Sequence, residues 1–288
     1  MDAVSNRLSA IGEESPDLKE AARVYGAILP LLREADLKVA PVTLARDEVR
    51  AHLDKGLPVL SGVDIELDVG AFCDLMRQLA HALEACGEDL EHEKDSRSVA
   101  AHNIRRSLEE DRIDVPALLP HIAAGEKARV TAVAERLHLE PDLLWTLAQA
   151  AMKPALRAVC RQVTPLAEGT SWNRGTCFVC GAAPTLAELR DNTLVRHLRC
   201  GQCCADWRFP RLQCPYCGNE DHRTLELLFA EGQGEKRRVE VCDKCHGYLK
   251  VITSFSPIPP DMLAVEDLAT LHLDFIARQR GYRRPEDR

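Results

Sequence analysis

The chain lacks any apolar run near the roughly 20 residues needed to cross a bilayer, so no membrane span is expected. Its opening stretch, MDAVSNRLSAIGEESPDLKE, has no apolar h-region and no twin arginine. An export signal is therefore not expected, and the reading is a cytoplasmic protein. A basic surplus is also missing. There are 37 Lys and Arg against 45 Asp and Glu, a net charge of −8. Binding to nucleic acid rests on Lys and Arg contacts to phosphate, and the balance argues against it. The sequence contains no Rossmann glycine motif, no P-loop and no HExxH, which removes the nucleotide and zinc-protease classes those motifs mark. What remains is an ordinary globular composition, 45% hydrophobic and 28% charged. At 288 residues it is long enough for more than one domain.

The cysteines divide the chain. Residues 1–165 hold Cys73, Cys86 and Cys160, none in a CxxC pair. This part reads as a helical domain. Pro16-Asp17-Leu18 opens a helix running to about Arg33. Another follows Asp68, a good N-cap, with Val69, Phe72, Met76, Leu79, Leu83 and Cys86 on one face. Those six read as a core stripe. Further helices are expected near 98–111, 115–124, 126–138 and 141–163, with Pro154 expected to kink or split the last. Beyond about Thr170 the texture becomes β-rich. Strands are expected at Thr185–Leu189, Thr193–Leu198, Arg223–Phe229, Arg237–Val241 and Tyr248–Phe255. Asp191-Asn192 and Glu231-Gly232-Gln233-Gly234 supply turns. After Ser256-Pro257-Ile258-Pro259-Pro260 a final helix is expected, from about Met262 to Arg280, with Gly281 as its cap.

Four CxxC pairs lie in the β-rich part: Cys177 and Cys180, Cys200 and Cys203, Cys214 and Cys217, Cys242 and Cys245. A tetrahedral ion needs four donors converging on a point, and two residues between cysteines bring both sulfurs of a pair to one ion across a tight turn. The order pair–hairpin–pair occurs twice, and Gly181 and Gly218 follow the first pair of each copy. Two copies of one small metal module account for this. Sequential pairing puts Cys177, Cys180, Cys200 and Cys203 on one ion and Cys214, Cys217, Cys242 and Cys245 on another. A cross-brace is the alternative, but sequential pairing closes shorter loops. The domain expectation is 1–165 helical, 166–211 and 212–256 metal modules, and 257–288 the terminal helix. The fold class is α+β: a helical N-terminal domain, two small β-rich modules of rubredoxin or zinc-ribbon type, and a C-terminal helix.

Four thiolates close a coordination shell and leave no position for a substrate, which favours a non-enzyme. The plainest role for the ions is to hold small modules too slight for a core of their own. An electron-carrying iron site is the rival. Thiolate tetrahedra suit both zinc and iron, so the donors do not choose the metal. Cys204 reads as a spare buried cysteine, His246 as a neighbour of a ligand, and Cys73, Cys86 and Cys160 as core packing. Trp172, Trp207 and Arg211 suit either a partner surface or packing against the modules. Residues 170–250 carry 12 Lys or Arg and 10 Asp or Glu, and two ions in four-thiolate shells would turn that small surplus negative. A zinc-ribbon nucleic-acid protein is thus the weakest reading.

The motifs resemble the formate dehydrogenase accessory protein family (FdhE). The residues that carry the resemblance start at Trp172 and Gly175 and run through Cys177-Phe178-Val179-Cys180-Gly181, Pro184 and Leu186. They continue with Arg199-Cys200-Gly201-Gln202-Cys203, Trp207, Arg211, Cys214-Pro215-Tyr216-Cys217-Gly218 and Glu240–Lys250. The tail Glu266–Asp274 also fits. The resemblance covers about 170–275. It implies a cytoplasmic accessory protein that binds the catalytic subunit of a respiratory formate dehydrogenase before export of that subunit. It also implies rubredoxin-like modules that bind iron, so iron is favoured by resemblance and zinc stays possible.

Overall fold

The computed structural model describes residues 2–63, 65–88, 96–230 and 236–285. The chain divides into two compact units: Met1–Val42 with Asp64–Val159, and Thr43–Val63 with Cys160–Arg288. No helix among the described residues is long and apolar enough to cross a membrane.

The first unit is helical. Helix α1 (Ala3–Glu14) starts where the Asp2 side chain accepts from the Ser5 N–H at 2.9 Å. It was not foreseen, because its apolar positions are sparse; Leu8 and Ile11 are the buried ones. Helix α2 (Lys19–Glu34) follows a short turn at Pro16–Leu18. Helix α4 (Val69–Glu88) begins under the Asp68 cap, whose Oδ1 accepts from the Ala71 N–H at 3.0 Å. Its stripe forms core at Phe72, Met76 and Leu79, each at most 2% exposed. Helices α5 (Ser96–Glu109), α6 (Val115–Ala123) and α7 (Lys127–Arg136) follow the expected positions closely. Helix α8 (Pro141–Val163) runs through Pro154 without being split, and it spans the division between the units.

The second unit is built on one six-stranded sheet. Its strands are β1 (Pro184–Arg190), β2 (Val195–Cys200), β3 (Asp206–Arg208), β4 (Leu225–Leu228), β5 (Arg237–Cys242) and β6 (Gly247–Ser254). Their order across the sheet is β3-β2-β1-β6-β5-β4. Each cysteine module is thus a three-stranded antiparallel meander, and the two meanders stand side by side as a tandem repeat. The join is the parallel pairing of β1 with β6, in register from Leu186 with Lys250 to Arg190 with Ser254. β3 has 3 residues at an outer edge, whereas β6, its counterpart, has 8 because it is paired on both sides. The turn expected at 231–234 lies outside the described residues.

Helix α3 (Arg46–Asp54), also unforeseen, belongs to this unit, and the chain after it runs along the first knuckle. The Val59 N–H donates to the Phe178 carbonyl at 2.8 Å and the Leu60 N–H to the Val179 carbonyl at 3.0 Å. On one sheet face Val239, Val241 and Tyr248 pack with Leu273, Ala277 and Tyr282 of the C-terminal segment. The expected single terminal helix is two, α9 (Leu263–Ala269) and α10 (Leu271–Gln279). The break has a local cause. The Lys250 Nζ donates to the Asp267 carbonyl at 2.7 Å, and the Thr270 hydroxyl donates to the Glu266 carbonyl at 2.7 Å. Side chains thereby take carbonyls that would otherwise continue the helix ladder.

Candidate metal centres

Each CxxC pair is a knuckle with one repeated hydrogen-bond scheme. In the first, the Cys177 N–H donates to the Ala182 carbonyl at 2.8 Å and the Gly181 N–H returns to the Cys177 carbonyl at 2.9 Å. The Cys200 and Cys214 knuckles repeat it, through Ala205 and Cys204 and through Asn219 and Gly218. In the fourth, Cys242 pairs with Gly247 across the β5–β6 turn, the same five-residue step. The scheme needs a left-handed residue directly after the second cysteine. Those residues are Gly181 (φ 77°), Cys204 (φ 63°), Gly218 (φ 70°) and His246 (φ 52°). Glycine meets that need without steric cost, and the two glycines are the visible sequence signal. Cys204 and His246 hide the same turn behind residue types that suggest ligands.

The fold brings the thiols together as two sets. Cys177, Cys180, Cys200 and Cys203 form one, Cys214, Cys217, Cys242 and Cys245 the other, with the Sγ atoms of each set within 4.8 Å of one another. The sets follow the sequential grouping. Individual Sγ–Sγ distances are 3.4 Å for Cys177–Cys203, 3.5 Å for Cys180–Cys200, and 3.7 Å for Cys214–Cys245 and Cys217–Cys242. A tetrahedron with metal–sulfur bonds of about 2.3 Å has edges of about 3.8 Å, so both sets fit such an ion. All twelve cysteines are free thiols.

Three of the sulfurs face N–H donors, while burial opposes the charged form at others. The Val179 N–H points at Cys177 Sγ at 3.4 Å, the Cys203 N–H at Cys200 Sγ at 3.5 Å, and the Asn219 Nδ2 at Cys242 Sγ at 3.4 Å. Burial pushes the Cys177 and Cys214 thiols up. Hydrogen bonds from Cys177 and Cys180 hold Cys200 well down. Cys242 is also held down against its burial, by the Cys245 N–H and Asn219. Burying four thiolates together is costly unless a cation joins them, which couples metal uptake to proton release.

The neighbours differ from expectation in part. Cys204 stays out of the first set and packs with Leu186, Ile252, Ile258 and Leu263. His246 stays out of the second; its carbonyl accepts from the Arg283 N–H at 2.8 Å. Cys160 is buried, as core packing requires, and the neighbouring Cys203 thiol holds it below its ordinary value, which places a fifth thiol beside the first set. Trp207 is buried, its Nε1 donating to the Arg174 carbonyl at 3.0 Å, which corrects the idea of an exposed contact there. Trp172 is half-buried and donates to the Thr176 carbonyl, and Arg211 is exposed.

Buried charges that sequence reasoning did not find knit the modules together. Glu188 in β1, 0% exposed, accepts from Arg190 and Arg199, from the Ser254 hydroxyl and from the Ile258 N–H. Arg196 in β2 reaches Glu240 in β5 at 2.6 Å, so each meander holds one partner. In β6, Lys250 contacts Asp267 and Asp274 at 2.7 Å each.

A tandem pair of knuckle–hairpin–knuckle modules on one sheet, each gathering four thiols that could hold a metal ion, defines a rubredoxin- or zinc-ribbon-like arrangement beside a helical unit. Comparison with known proteins is more specific. Residues 212–287 match the family model described as FdhE, C-terminal domain. A protein FdhE homolog of Aquifex aeolicus is 24% identical over 288 residues, covering 96% of this chain and 90% of that protein. Another, of Stutzerimonas stutzeri, is 34% identical over 112 residues, 38% of this chain and 35% of its own length. The crystal structure of the FdhE protein from Pseudomonas aeruginosa shares the fold, with a TM-score of 0.63 at 22% identity, covering 98% of this chain and 92% of that one. Together these matches make the chain similar to FdhE proteins in sequence and in fold.

Proposed function

We propose that the protein is a non-enzymatic accessory factor that binds the catalytic subunit of a respiratory formate dehydrogenase in the cytoplasm and serves its assembly or activity. The observation that carries the reading is the pair of four-thiol sets on one sheet, in a chain similar to FdhE proteins. In this reading the eight cysteines hold two metal ions. Iron is favoured by the family resemblance, and zinc fits the same donors. Four sulfurs complete each shell, so the centres fix a rigid platform and offer no substrate position.

Capture of the tagged protein from its own source under low oxygen, with mass spectrometry of what comes with it, tests the reading. A formate dehydrogenase catalytic subunit enriched with the native chain and lost with the Cys177→Ser, Cys180→Ser double variant is the expected result. Capture of ribosomal or transcription components alone would overturn it. Exposed Cys217 favours a second reading, an iron centre that passes an electron during client activation. A reversible iron couple in the native protein is its signature, and a zinc-only protein that still supports the client would end it.

A further inference from the structure

The two thiol sets have nearly the same internal geometry and unlike surroundings. In the first, Cys177 and Cys200 are 0% exposed, Cys203 is 1% exposed and Cys180 is half-buried, with none exposed. Its first knuckle lies under the chain at Pro58–Leu60, with Pro58 Cγ only 3.2 Å from where a Cβ on Gly181 would stand. At its second knuckle, Gly201 abuts Thr185 so closely that a Cβ would lie 2.1 Å from the hydroxyl. Cys160, buried near the end of α8, is a neighbour of Cys203.

The second set is open. Cys217 is exposed and Cys245 half-buried. Gly218, the counterpart of Gly181, has nothing within 4 Å of a Cβ position. The third knuckle is packed at Pro215, against Gly175, and bare at Cys217. A cavity of about 180 Å³ gives a second approach, since Cys214 and Cys242 stand in its wall beside Leu225 and Leu249. The fourth knuckle is covered by Tyr282 and Arg283, near the chain end.

We propose that the second four-thiol site is an exchangeable metal centre, open to small competing ligands, while the first is a permanent part of the fold. The inference rests on the reading of the eight cysteines as metal ligands. Exchange at the second site starts at Cys217. There a competing oxygen or nitrogen donor would replace the sulfur on the bound metal, and the released thiolate would take a proton from water. At the first site no such step is open until the Pro58–Leu60 cover or the end of α8 detaches, a sub-global opening.

The test uses the native, metal-loaded full chain. EDTA in excess is added, and metal stoichiometry is followed by native mass spectrometry. Aliquots are treated with iodoacetamide and the labelled cysteines read from peptides. The expected course has two phases. A species with one metal per chain accumulates, alkylated at Cys217 and Cys245, while Cys177, Cys200 and Cys203 stay protected. Loss of both metals in one phase, or labelling of the first set before the second, overturns the proposal and leaves the two-site reading standing. A native protein that holds no metal overturns both.

Discussion

The helical unit and the cysteine-rich unit solve the same problem with different interiors. In the helical unit the buried side chains are mostly apolar, Phe72, Met76, Leu79, Ile104 and Leu147 among them, and among the described residues the buried polar ones there are Ser98 and Ser107. Its ion pair of Glu84 with Arg105 at 2.8 Å leaves Glu84 14% and Arg105 21% exposed. The cysteine-rich unit buries Glu188, Arg190, Arg196, Arg199, Lys250 and Asp274 along with Cys177, Cys200, Cys203, Cys214 and Cys242. A stack of apolar helix faces gains from area removed from water. Buried charges and thiols contribute only when every partner is present, because an unpaired one carries its whole desolvation cost. The first interior is tolerant of small losses; the second is all or none.

Removing the metal should break that comparison most strongly. Structural metals contribute apparent folding energies of roughly 10–16 kcal/mol in small modules. Exhaustive chelation is expected to abolish amide protection across β1–β6 while α4 and α5 keep theirs, as hydrogen exchange with peptide resolution would show. Equal loss in both units would end the distinction. Phe72→Ala, a void in the apolar interior, should cost about 3–5 kcal/mol in the helical unit yet leave metal content unchanged. Thermal unfolding and elemental analysis together check it. The Lys250→Met change comes next. It removes one of the two cations that hold Asp267 and Asp274, leaving Arg284 on both, and a loss of about 1.5–3 kcal/mol is expected in denaturant unfolding at neutral pH. This loss depends on pH. Burial alone would raise Asp267, but Lys250 and Arg284 outweigh it and hold the carboxyl below its ordinary value. Its stabilising contribution is therefore present above about pH 4 and fades as pH falls further. The gap between native and Lys250→Met should narrow over that acid range.

Gly175→Ala should cost about 1–3 kcal/mol, because a Cβ there would lie 1.7 Å from the Pro215 carbonyl oxygen and the two knuckles would have to part. The smallest effect is expected at a left-handed position. Cys204→Gly should keep both metals and raise stability by up to about 1 kcal/mol. Loss of metal in that variant would show Cys204 to be a ligand after all.

The legible parts of this molecule are those written in local spacing. Asp68 and the stripe through Phe72 and Leu79 announce α4, and CxxC-Gly announces two of the knuckles. The long-range terms are not written that way. The β1–β6 pairing joins strands some sixty residues apart and leaves no periodic trace. Glu188 and Lys250 look like solvent-facing residues of strands until the sheet surrounds them on both faces. Segment 43–63 carries no cysteine, and nothing local ties it to the first knuckle. Cys160 sits alone in a helix, so its approach to Cys203 shows only in the fold. The split of the terminal helix at Thr270 has the same origin, a lysine on β6.

The most direct test of the central claim is the number of metal ions per chain in protein purified from its own source, measured by elemental mass spectrometry against amino-acid analysis. Two ions per native chain, falling to one in the Cys177→Ser, Cys180→Ser variant, is the result this account predicts. A folded native protein with no bound metal would contradict it.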